Sequence, residues 1–125
     1  MKLRLIASIC LIVFAVGAAL FCAGHLEKVT GELTTALRQA LDTAEKKESV
    51  EQITEKVMRQ WEKSENFLHI LLPHTNLNEL EWTLGTLPDY AKSNKFDLYI
   101  EQCIRSIQCV KTIREMEKLS WGNLF

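Results

Sequence analysis

Twenty consecutive residues from Leu5 to Gly24, LIASICLIVFAVGAALFCAG, carry no charge. As an α-helix rising 1.5 Å per residue, the run is about 30 Å long, the thickness of a bilayer's hydrocarbon core. A single span in lipid has to satisfy its own backbone N–H and C=O groups, which selects helix. Lys2 and Arg4 precede the run, and His25, Glu27 and Lys28 follow it. Basic residues at the start predict a cytoplasmic N-terminus and an extracytoplasmic remainder. A cleaved signal peptide is the alternative, with Cys22-Ala23-Gly24 offering small residues at a cleavage site. The run exceeds the roughly 7–15 residues of a usual signal core, which favours an uncleaved anchor. Bulky Phe21 ahead of Cys22 speaks against a lipoprotein site. The expected organisation is a membrane anchor over 1–24 and an extracytoplasmic domain over 25–125.

The apolar pattern does not stop at Gly24. Leu26, Val29, Leu33, Leu37, Ala40, Leu41 and Ala44 recur at steps of three and four, the mark of an amphipathic helix. The spacing predicts that the membrane helix runs on to about Lys47, with Gly31 weakening but not ending it. Ser49 and Gln52 form a capping-box pattern ahead of a second helix with Val50, Ile53, Val57, Trp61, Leu68 and Leu71 along one face. Pro73 ends that helix, because proline donates no hydrogen bond and disfavours helical geometry in the residue before it.

Asn76 and Glu79 signal a third helix, with Leu77, Leu80, Leu84, Leu87 and Ala91 as its stripe. Pro88 lies inside it and predicts a kink or break near Thr86. After a turn at Ser93-Asn94-Lys95, a fourth helix carries Phe96, Ile100, Cys103, Ile107, Val110 and Ile113, with Gly122 as its cap. No strand-like alternation of useful length is present. The fold class expected is all-α, with one N-terminal transmembrane helix continuing into a small antiparallel bundle of about four helices.

Chemistry is sparse. Beyond Lys2 and Arg4, 13 basic residues remain against 16 acidic ones, so the domain is mildly acidic and lacks the basic footprint of a nucleic-acid binder. Cys10 and Cys22 lie in the apolar run. Cys103 and Cys109, six apart on one helix, are separated by about 9 Å of rise and about 120°, too far to bridge. His69 and His74 lie near Glu79 and Glu81 but are five apart with Pro73 between them. Zinc pairs on a helix favour a spacing of four, so no metal or cofactor is expected. His74 is expected instead to cap the second helix or bond a turn carbonyl. Glu79 with Glu81, and Glu115 with Glu117, are two apart and point to different faces, which rules them out as acid–base pairs. No nucleophile motif and no phosphate loop is present, and no enzymatic activity is expected.

Trp82 falls off the Leu77–Leu80–Leu84–Leu87 face and is a candidate for partner binding. The terminal Trp121-Gly122-Asn123-Leu124-Phe125 is apolar where chain ends are usually polar, so it is expected to pack on the bundle or on a neighbour.

The anchor, Trp61, the run His74-x-x-Leu77-Asn78-x-Leu80-Glu81, the Leu84–Leu87–Tyr90 spacing and the closing Asn123-Leu124-Phe125 together resemble the family catalogued as domain of unknown function 4363. That resemblance spans the whole chain and implies a membrane-associated helical protein of clostridia and related Firmicutes, with no activity to carry over. It marks His74, Asn78 and Asn123 to Phe125 as structural or interaction residues. Pro73 and Pro88 depart from the smoother helices expected of that family. The function expected is that of a non-enzymatic accessory protein, held in the membrane by residues 5–24 and binding another membrane or envelope protein. A sensory module holding a small ligand or metal near His69 and His74 is the alternative.

Overall fold

The computed structural model describes the backbone of residues 1–124, and their side chains except those of Asn76 and residues 120–124. It contains four helices: α1 (Lys2–Glu45), α2 (Glu51–Leu71), α3 (His74–Lys92) and α4 (Phe96–Leu124). The class is all-α, as the periodicity indicated. Helix α1 is unbroken from the apolar run into the domain, and its apolar window is long enough to cross a membrane, with none of that window buried. From Leu26 the inward face of the same helix is buried.

Short connections make successive helices antiparallel. Each packs on its neighbours in the chain, and α4 returns against α1, closing a four-cornered bundle. The inward seams follow alternating steps of three and four. They run Leu26, Thr30, Leu33, Leu37, Ala40, Ala44 in α1 and Val50, Thr54, Val57, Trp61, Ser64, Leu68 in α2. In α3 the seam is Leu77, Leu80, Leu84, Leu87, Ala91, and in α4 it is Tyr99, Cys103, Ser106, Val110, Ile113. A 3–4 alternation keeps one stripe facing its partners when helices cross at shallow angles, the geometry of up-and-down bundles.

Two turns share one design. Helix α1 ends on Lys46, after which Lys47 adopts φ 56°, Lys47 N–H bonds Ala44 C=O and Glu48 N–H bonds Thr43 C=O. Helix α3 ends on Ser93, Asn94 adopts φ 53°, and Asn94 and Lys95 N–H bond Ala91 and Tyr90 C=O. Both are Schellman caps, in which the left-handed residue lets the chain fold back onto carbonyls the helix leaves free.

Four local expectations need correction. The Ser49–Gln52 box does not form: the N-cap is Val50, with no side-chain cap bond, and Val50 itself is buried. Burying its side chain moves the helix start one residue on. Helix α3 begins at His74, two residues before the Asn76 signal, because Leu72 is extended ahead of Pro73 and Pro73 turns directly into the helix. It then runs through Pro88 without a break. Leu84 and Leu87 are completely buried on either side of the proline's lost bond, and burying leucines at about 2 kcal/mol each offsets a proline cost of about 3 kcal/mol. Finally, α4 continues through Gly122 to Leu124, so Gly122 is not its cap.

Candidate functional site

On α3 the leucine stripe faces inward and leaves His74, Asn78 and Trp82, four residues apart, as one outward row. All three are exposed, and Trp82 retains 67% of its accessible surface. The row thus aligns the sequence candidates of this helix, and Trp82 stands off the core face as its position in the pattern indicated. Its height on the bundle is set from within: Thr83, next to Trp82, is buried and accepts a 2.8 Å hydrogen bond from Ser106 Oγ.

At the foot of this row α2 contributes two polar groups. His69 Nε2 lies 2.9 Å from Glu81 Oε1 and 3.8 Å from Glu65 Oε1, one turn earlier on its own helix. One ligand atom from each of Glu65, His69 and Glu81 falls within 4.8 Å of the others, and all three residues are half-buried. The His74 ring lies 5.4 Å from the His69 ring, centre to centre. His69 Nδ1 is buried without a hydrogen-bond partner among the described residues. An imidazole with two carboxylates is a donor set suited to a divalent ion such as zinc. The sequence reading paired the histidines with Glu79 and Glu81 and missed Glu65. Glu79 in fact lies on a different face, in a groove with Thr75, Arg105 and Cys109. Nor does His74 cap α2: it opens α3, and α2 closes through Leu72 N–H on Leu68 C=O.

The buried polar groups were the other omission. Thr54 Oγ1 donates to Val50 C=O at 2.6 Å, so the Tyr99 hydroxyl, 2.6 Å away, donates to Thr54. In parallel, Ser106 donates to Thr83, whose hydroxyl donates to Leu80 C=O at 3.1 Å. Two relays of hydroxyls therefore tie α4 to α2 and α3 inside the core. Burial pushes the Tyr99 phenol up to about 12. Burial likewise pushes the Cys103 thiol up to about 12 and raises Cys109 less strongly. All four cysteines are free, and thiols so raised are poor nucleophiles at neutral pH.

A groove of about 400 Å³ opens between α2 and α3, lined by Thr54, Met58, Arg59, Pro88 and Ala91 among others. Glu51, Glu55, Glu62 and Lys92 complete its lining. The expected packing of the tail from Trp121 to Phe125, Asn123 and Leu124 included, concerns side chains outside the described residues.

A family model described as domain of unknown function (DUF4363) matches residues 20–124. No curated protein and no solved structure matches the chain.

Proposed function

The chain belongs to the DUF4363 family, and from that premise we propose that it is a non-enzymatic accessory protein. It is anchored in the cytoplasmic membrane by residues 5–24, and it presents its bundle to another membrane or envelope protein on the outer face. The observation that carries this reading is the continuity of α1, exposed and apolar over its first half and packed into the bundle over its second. One stiff rod then fixes the height and bearing of the His74–Asn78–Trp82 row relative to the lipid. Lys2 and Arg4 ahead of the span favour the cytoplasmic N-terminus. A large exposed aromatic on an otherwise polar helix face suits a binding anchor, since tryptophan dominates many interfaces.

A photo-crosslinking residue in place of Trp82, set against one in place of Lys92, tests this in native membranes. A discrete adduct from position 82 alone is the expected result, with the exposed turn at Ser93-Asn94-Lys95 cut by protease added outside intact cells. Equal, diffuse labelling from both positions would remove the interaction face. Protection of that turn would reverse the orientation.

The convergence of Glu65, His69 and Glu81 favours a second reading, a divalent-cation site beside the same row. Zinc or manganese should raise the melting temperature of the full-length protein, and His69→Ala should abolish the shift. Absence of any shift in the wild type would sink this reading.

A further inference from the structure

We propose that the bundle does not stand clear of the bilayer. The end of α4 and the α2–α3 corner are themselves immersed in the lipid interface beside α1. This rests on the reading of residues 5–24 as a membrane span and extends it to two further elements.

The levels follow from contacts between helices. Helix α4 meets Thr54 through Tyr99 at one end of the bundle and reaches Glu27 through Arg114, at 2.8 Å, near the other. It is therefore descending toward the membrane half of α1. Past Arg114 it continues ten residues to Leu124, about 15 Å further along that direction. Ala23 of α1 and Glu117 and Lys118 of α4 line one groove. Along the apolar run, Ala19, Cys22 and Ala23 are half-covered while their neighbours are exposed. Val16, at 40%, is the least exposed of the run's large side chains. These positions extend the Leu26 seam backward at steps of three and four, so the side of α1 facing α4 is covered inside the uncharged run.

The third element agrees. Phe67 packs edge-on against His25, ring centres 4.5 Å apart, and α2 then runs four residues further to Leu71. Ile70 on this corner is 87% exposed, and Leu119 on α4 is 69% exposed.

Each of the three elements has a charge-free stretch at this end. In α1 the uncharged run gives way to His25 and Glu27. In α4 the last charged side chain is Lys118, before Leu119-Ser120-Trp121-Gly122-Asn123-Leu124-Phe125. At the corner, Ile70-Leu71-Leu72-Pro73 lies between His69 and His74. In water, exposed Ile70 and Leu119 would be unfavourable. In the headgroup–acyl boundary each gains from burial of its apolar surface, while Lys118 extends its ammonium group to the phosphates. The occupant of this surface is therefore lipid.

The test uses the unmodified full-length protein in vesicles of phosphatidylethanolamine and phosphatidylglycerol, with a diazirine-bearing acyl chain as the probe and adducts mapped by mass spectrometry. Segments 66–73 and 115–125 should carry adducts at about tenfold the level of 92–105, as an apolar face sunk into the acyl boundary requires, together with heavy labelling of 5–21. Labelling of 5–21 with 66–73 and 115–125 at the level of 92–105 would overturn the inference and leave the anchor standing. Failure to label 5–21 would overturn both.

Discussion

Tyr99 shows most directly how single side chains set the behaviour of this bundle. It is completely buried on the seam of α4, and its hydroxyl reaches Thr54 across the core. Tyr99→Phe removes one buried hydrogen bond but leaves Thr54 bonded to Val50, so a cost of about 1 kcal/mol in chemical denaturation is expected. Ionisation supplies a second check. The folded values of Tyr99 and Cys103 are raised to about 12 from ordinary values of 10 and 9. The unfolded chain therefore loses these protons first. The stability they contribute is fully present below about pH 9 and is lost as pH climbs toward 12. With Tyr90 replaced by Phe so that Tyr99 alone reports, alkaline unfolding should be cooperative with tyrosinate absorbance, and Tyr99→Phe in the unmodified chain should move the onset of unfolding. Separate onset of the two signals would contradict it. The caps give a comparison between two residues in the same conformation. Lys47 and Asn94 both have positive φ, but asparagine tolerates that region better than lysine. Lys47→Gly should raise stability by about 1 kcal/mol and Asn94→Gly by clearly less, as read from denaturation midpoints.

At the scale of elements, α1 carries two tasks with one geometry. Its 44 residues would extend about 66 Å, more than twice the thickness of a hydrocarbon core. The N-terminal half needs only apolar length, whereas the other half needs a seam. Gly31 sits in that second half with open space where a Cβ would go, so nothing requires glycine there. Gly31→Ala should stabilise the bundle by about 0.5–1 kcal/mol through helix propensity, measured by thermal or chemical unfolding in detergent. A loss of stability would indicate close approach of another element at that position. Helix α3 shows the limit of local rules, since it spans Pro88 intact while two flanking leucines are completely buried.

For the whole molecule, the bundle is built as a continuation of its anchor. A fragment of residues 25–125 keeps the four seams but exposes Phe67, Ile70 and Leu119 without the adjoining span or lipid. It should self-associate in water and become monomeric in detergent, as sedimentation would report; a monomer in water would argue against an apolar underside. The length of the uncharged run and the 3–4 spacing of Leu33, Leu37, Leu84 and Leu87 were enough to indicate a membrane-length helix that continues into an all-α bundle, because burial periodicity is written in apolar residues. The spacing also showed Trp82 lying off its stripe. Thr54, Ser64 and Ser106 were not legible as seam residues, because a hydroxyl is admitted to a core only when a particular carbonyl or hydroxyl awaits it. Glu65, one turn before His69 on α2, was within reach of the spacing and was overlooked, whereas the approach of Glu81 to His69 is set by the packing of α3 on α2. The sequence by itself determined which stretches are helices and which faces are apolar. Only the tertiary structure decided which polar groups meet, that Val50 outweighs the Ser49 cap and that α3 survives Pro88, since each is set by packing between helices far apart in sequence.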